Sequence, residues 1–174
     1  MNPISIKSET DEITTPAEQE IFTGSKLWKI NRELLLFGSD PLENIHRLTA
    51  LCGDLLSASC VLYNCLEDGL LSSLATWMTP LDYNPKDKPD GHICYDVIRN
   101  SGDKVFVIRN LQDSKYAKTD ANVRKHNLQT YIGKAVKFGG VYLVSLCAVY
   151  QHDIDFSEED KRRVFELKSA FCLN

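Results

Sequence analysis

Apolar positions along the chain change their period several times, and each change marks an element. Residues 1–20 show almost no apolar periodicity and contain Pro3 and Pro16, so they read as a flexible acidic arm outside the folded part, 21–174. From Ile21 the pattern turns helical. Leu27, Ile30, Leu34 and Phe37 recur at a 3–4–3 spacing, and Gly38 with Pro41 stops the run. A second stripe, Leu42, Ile45, Leu48, Cys52 and Leu55/Leu56, predicts a helix over 41–56, with Asp40 as its cap and Pro41 at the first helical position. The period then shortens to that of strands. Residues 59–65 and 70–78 flank Asp68-Gly69, a strong hairpin signal. A Pro-, Asp- and Lys-rich loop (79–90), a short helix (91–98), a short β-branched strand (105–108) and an irregular stretch (110–127) with one helical turn near Val123 follow. Two long strands, 131–138 and 142–150, meet at Gly139-Gly140. Ser157 and Asp160 have capping-box spacing, and the helix they start carries Val164, Leu167 and Phe171. No Gly or Pro ends that helix, so it is expected to run on, as in a domain cut from a longer polypeptide.

This order is α+β with a mainly antiparallel sheet. A chain of 174 residues can bury about 70% of its unfolded surface, so a core needs no disulfide or metal staple. The net charge is −4, and residues 1–24 account for it with one lysine against five acidic residues. The remainder balances, which is a poor footprint for nucleic acid. Within it, residues 80–138 hold 11 Lys/Arg, 7 Asp and no Glu, a local +4. No apolar run reaches membrane-spanning length, and the first residues lack the basic start and apolar stretch of a secretory signal. Six cysteines at uneven spacings form no CxxC pair and no zinc-finger quartet, and Cys52, Cys60, Cys65 and Cys147 lie in apolar runs, as core thiols do. A reduced, cytoplasmic protein is expected.

Three segments carry a family resemblance: GHICYDVIRNSGDKVFVIRNLQDSKYA (91–117), TYIGKAVKFGGVYLVSLCAVY (130–150) and DFSEEDKRRVFEL (155–167). Together they resemble the second half of a GAF domain: a short helix, a Gly turn, a short strand, a "Y-x-G-x-P-V" strand, a "G-x-L-x-V" strand and an "F-S-x-E-D" helix start. The likeness spans about residues 25–174, and the wording is most similar to GAF modules of bacterial sensor histidine kinases. Ala135 stands where Pro is usual, and Val144-Ser145-Leu146 replaces the usual Gly; both suit a strand. The resemblance implies a central antiparallel sheet of about six strands, with the N- and C-terminal helices on one face. On the other face, 79–127 would roof a small-molecule pocket. It further implies pairing of the terminal helices in a homodimer, here through the stripes of Leu27, Ile30, Leu34 and Phe37 and of Val164, Leu167 and Phe171. A covalently linked kinase, cyclase or phosphodiesterase would receive the signal.

The helix start Gly91-His92-Ile93-Cys94-Tyr95-Asp96 is the leading site candidate, because unpaired N–H groups at a helix N-terminus attract anions. In cyclic-nucleotide-binding members of the family, backbone near this point meets the phosphate, which places Cys94 and Tyr95 there. The local +4 agrees with an anionic ligand; its competing reading is a solvated face. Trp77, Tyr116 and Tyr131 are candidate pocket walls, with core packing as the alternative. Arg109 can pair with a ligand carboxylate or phosphate, or with Asp113. His92 finds no second ligand at matching spacing apart from Cys94, so neither haem nor a metal is expected. Bilin attachment typically uses a Cys-His pair, which the chain lacks. Cys94 raises an enzymatic alternative, since some GAF proteins reduce free methionine sulfoxide with cysteines in and after this helix. That chemistry needs a resolving cysteine in the following loop, and residues 95–146 contain none. Three readings stand: a non-catalytic sensory module, a ligand-free dimerisation module, and a redox enzyme built on Cys94.

Overall fold

Asp40 caps the helix predicted over 41–56, its carboxylate accepting from the N–H groups of Leu42 (2.9 Å) and Glu43 (3.3 Å) in a computed structural model of the chain that describes residues 38–138, 140–162 and 164. This helix, α1 (Pro41–Leu56), is followed by strands β1 (Cys60–Glu67), β2 (Leu70–Trp77) and β3 (Lys86–Asp87). Helix α2 (Ile93–Asn100), strand β4 (Phe106–Ile108), a 3-10 turn (Leu111–Asp113) and short helices α3 (Tyr116–Thr119) and α4 (Ala121–Lys125) come next. Strands β5 (Thr130–Phe138) and β6 (Val141–Tyr150) complete a six-stranded antiparallel sheet ordered β3-β2-β1-β6-β5-β4. The α+β, GAF-like architecture expected from the sequence is the one observed.

Local chemistry fixes the joints. Asp68 and Gly69 both take positive φ, +51° and +73°, the conformation a tight hairpin needs to match strand twist. Ser157 and Asp160 form the capping box: Ser157 Oγ donates to the Asp160 carboxylate (2.7 Å) and accepts from its backbone N–H (3.2 Å). Two segments are more ordered than their composition suggests. The 79–90 loop contributes β3, which pairs Lys86 with Ser72 and Asp87 with Leu71. The 110–127 stretch holds the 3-10 turn and two short helices rather than one turn.

The sheet separates two apolar layers. On one side α1, Phe156 and Val164 pack over Val61, Tyr63, Ala75, Ile132 and Leu146. On the other, Ile93, Val97, Ile98, Leu111, Tyr116 and Val123 pack over Cys60, Leu71, Tyr131, Cys147 and Val149. A β-bulge at Leu74 changes which side β2 serves. Leu66 faces Leu71 and Asn64 faces Ser73, but beyond the irregularity Tyr63 faces Ala75 and Val61 faces Trp77. Ser73 therefore points to the second layer, and Trp77 to the first.

That swap overturns the expectation of Trp77 as a pocket wall. Its ring packs on Gly53 of α1, where an added Cβ would lie 2.2 Å from the indole. Val164 is also corrected: 2% exposed, it belongs to the core of its own chain rather than to a face offered to a second copy. The other stripe residues, Leu27, Ile30, Leu34, Phe37, Leu167 and Phe171, lie outside the described residues.

Candidate functional site

A cavity of about 530 Å³ lies between the second face of the sheet and a roof made of 78–92, α2 and 119–128. Leu62, Asn64, Ser73, Tyr131 and Cys147 line its floor, and Tyr83, His92 and Cys94 its upper wall. Gly133 makes part of this geometry possible. It pairs with Cys147 across the β5–β6 ladder, and a Cβ there would stand 2.6 Å from the Tyr131 hydroxyl and 2.9 Å from Cys147 Cβ. The Y-x-G of this strand thus gives Tyr131 room to lay its hydroxyl beside the thiols.

Cys94 sits in the first turn of α2, and its Sγ meets three neighbours. Asn64 Nδ2 donates to it at 3.1 Å, the Tyr131 hydroxyl lies at 3.6 Å, and Cys147 Sγ at 3.4 Å. The Asn64 donor is oriented by a relay. Ser73 Oγ donates to Asn64 Oδ1 (2.5 Å), which leaves the Tyr83 hydroxyl to donate to Ser73 (2.6 Å). The Cys147 S–H hydrogen bond, with a smaller contribution from the Tyr131 hydroxyl, holds the Cys94 thiol below its ordinary value against the opposing effect of burial. Cys147 keeps its proton and titrates far above the ordinary range. Cys52 and Cys60 are pushed up to about 12 by burial.

The helix start is answered by the protein itself. Asp120 Oδ2 accepts from the Ile93 N–H (3.4 Å) and stands 3.3 Å from His92 Nδ1, while Asp120 Oδ1 caps α4 at Asn122 (3.1 Å). A carboxylate thus occupies the place an anionic ligand would take at this N-terminus. The Asp120 hydrogen bond, with further support from Asp87 at 3.7 Å, raises the His92 pKa.

Of the sequence-predicted site residues, His92, Cys94 and Tyr131 meet at the cavity. The other four do not line it. Trp77 is on the opposite face, as described. Tyr95 stacks under Arg99, whose guanidinium carbon is 5.4 Å from the ring. Tyr116 donates to Asp96 (2.7 Å), joining α3 to α2 within the roof. Arg109 pairs with Asp153 and, at 3.2 Å, with Asp155, not with Asp113. Asn64, Ser73, Tyr83, Asp120 and Cys147 were missed. For Asn64, Ser73 and Cys147 the signal was a polar or sulfur-bearing residue at an inward position of an otherwise apolar strand, as in Ser145-Leu146-Cys147; Tyr83 and Asp120 lie outside the strands and gave no such signal.

Charge is distributed differently from its sequence average. Of the basic residues in 80–138 only Lys88 and Lys125 line the cavity, against Asp82, Asp87, Asp90 and Asp120. Lys125 is itself paired with Asp82 at 2.7 Å. Lys115 and Lys137 spend their charge on Asp96 and Asp103 instead. The excess basic charge of the segment is therefore not carried into the cavity. One polar atom at the wall is left over: His126 Nε2 is buried with no hydrogen-bond partner among the described residues. Among those residues no group of three or more His, Cys, Asp or Glu is placed to hold a metal ion. No helix in them is long and apolar enough to cross a membrane.

The fold has solved counterparts. The GAF domain of an Acinetobacter phosphoenolpyruvate-protein phosphotransferase superposes with a TM-score of 0.64 at 12% identity, over 86% of this chain and 90% of that one. The phycoerythrobilin-bound GAF domain of a cyanobacterial phytochrome gives 0.64 at 9% identity, over 88% and 95%. The free methionine-R-sulfoxide reductase of Neisseria meningitidis, solved with its substrate, gives 0.64 at 14% identity, over 79% of each chain. No known family model and no curated protein matches the chain. The chain has a GAF-like fold, one shared by a phycoerythrobilin-bound domain and by an enzyme.

Proposed function

We propose that the chain is a regulatory, non-catalytic, small-molecule-sensing GAF module of a bacterial signal-transduction protein, a sensor histidine kinase. The cavity of about 530 Å³ under the 78–92 roof carries this reading, because a module serving only as scaffold has no use for one of ligand size. The converging Asn64, Ser73 and Tyr83 side chains and the orphaned His126 Nε2 supply directional contacts. Four carboxylates against two lysines and His92 leave no excess of basic charge in the cavity, which favours a neutral or cationic ligand over the anion suggested by the segment's charge. Ligand binding selects one arrangement of roof and terminal helices, and the homodimer passes that choice to a covalently linked kinase or cyclase domain. The shift requires different affinities for the two arrangements.

A thermal-shift screen with charge-matched sets of small cations, neutral polar compounds and anions tests the reading. Stabilisation confined to the first two sets supports it. A folded protein that no compound moves leaves the dimerisation scaffold. The enzymatic reading, favoured by the closeness of Cys94 and Cys147, is tested by incubating the reduced chain with free methionine sulfoxide and measuring methionine.

A further inference from the structure

Cys94 and Cys147 come from segments 53 residues apart, yet their sulfurs sit 3.4 Å from one another on the wall of the cavity. We propose that they are a redox-active dithiol, converted to an intrachain disulfide by a hydroperoxide that enters the cavity. The inference does not depend on the cavity having a resident ligand.

Three observations separate this pair from ordinary core cysteines. The first is distance. A disulfide is about 2.05 Å long, so the sulfurs need to approach by only about 1.3 Å. The second is the set of donors. Asn64 Nδ2 and the Tyr131 hydroxyl point at Cys94, and the Asn64 donor is held in orientation by Ser73 and Tyr83. Donors around one sulfur favour its thiolate, the form that attacks a peroxide. Cys52 and Cys60 have no such donors among the described residues and are held as thiols by burial. The third is access: Cys94 is 8% exposed and Cys147 1%, but both line the cavity, so a small oxidant reaches them only from inside it.

The chemistry balances in two steps. Cys94 sulfur attacks the peroxide oxygen of R–O–O–H and the O–O bond breaks. This leaves Cys94–S–OH, and the thiol proton goes to the departing oxygen to give R–OH. Cys147 sulfur then displaces hydroxide from Cys94–S–OH, the S–S bond forms, and the Cys147 proton leaves with the hydroxide as water. Each sulfur has lost one electron and the peroxide has gained two. Oxidation also removes the thiolate that Asn64 serves. The Asn64–Ser73–Tyr83 relay must then reorient, and Tyr83 lies in the 78–92 roof, so the redox state of the floor is felt where a ligand enters.

The test uses the full chain, reduced, freed of reductant, exposed to hydrogen peroxide, alkylated under denaturing conditions and mapped by mass spectrometry. The expected result is a monomer lighter by two hydrogen atoms, with a Cys94–Cys147 cross-linked peptide that dithiothreitol reverses. A bulky aryl hydroperoxide should react more slowly than hydrogen peroxide, because the route is the cavity. Cys60→Ser should leave the cross-link forming, and Asn64→Leu should slow it about tenfold at neutral pH through loss of the donor. Two core thiols merely in contact would instead remain fully alkylatable after peroxide. That result overturns the proposal, as does Cys94 oxidised with Cys147 still a free thiol, or a cross-link to another cysteine. Mapping the unaltered protein decides the matter even where a variant fails to fold.

Discussion

Asn64 Nδ2 donates to Cys94 Sγ at 3.1 Å, across the boundary between sheet and roof. Asn64 is 2% exposed and occupies an inward position of β1 where an apolar residue would pack without cost. A buried amide is tolerated there because both its ends are used, Oδ1 by Ser73 and Nδ2 by Cys94. Hydrogen bonds to charged groups contribute about 1.5–3 kcal/mol, or roughly one to two pKa units. Asn64→Leu should therefore move the pH midpoint of Cys94 alkylation upward by about one unit or more, measured by peptide mapping across a pH series. An unmoved midpoint would show that the amide does not support the thiolate.

The contact between Gly53 and Trp77 predicts a stability effect that runs against helix propensity. Gly53→Ala gains about 1 kcal/mol of propensity inside α1. It also places a methyl group 2.2 Å from the indole, and overpacking costs about 1–3 kcal/mol. The clash should win, giving net destabilisation of about 1 kcal/mol in urea unfolding. Trp77→Leu should relieve it, so the double variant loses less than the sum of the two single changes. Additivity would mean that the ring has other room.

His92 ties the roof to pH. Its pKa is raised above 6.5, first by the Asp120 hydrogen bond. Folding therefore favours the protonated imidazole. That stabilisation is complete below the unfolded value of 6.5 and is lost as pH rises through the higher folded value. Unfolding free energies measured between about pH 6 and about pH 8.5 should fall more steeply for the unaltered chain than for His92→Gln, in which this contribution is absent. Parallel curves would remove His92 from the account.

Much of the fold is legible in the amino-acid pattern because its signals are local. Asp40-Pro41, Asp68-Gly69 and the Ser157–Asp160 pair each specify a cap or turn through their own backbone, and all three are found as read. The site was less legible because it is assembled across elements. Trp77 follows Leu71 and Ser73 in even alternation, and only the extra residue at Leu74 sends it to the other face. Cys147 was hidden for a related reason. A partner for Cys94 was sought in the loop that follows it, whereas packing of α2 on the sheet brings one from β6. A charge count along the chain does not locate the charge, because ion pairs such as Arg109–Asp153 and Lys115–Asp96 are invisible to it.

The central claim is that the cavity under the roof is where a small molecule acts, and filling it tests that claim most directly. Leu62 lines the cavity floor. Leu62→Trp adds an indole to a space of about 530 Å³ that can take it, so the variant should fold with the circular dichroism of the parent. It should also lose the thermal shift given by the most stabilising compound of the screen. An undiminished shift in the folded Leu62→Trp chain would contradict the account, because the compound would then be bound elsewhere.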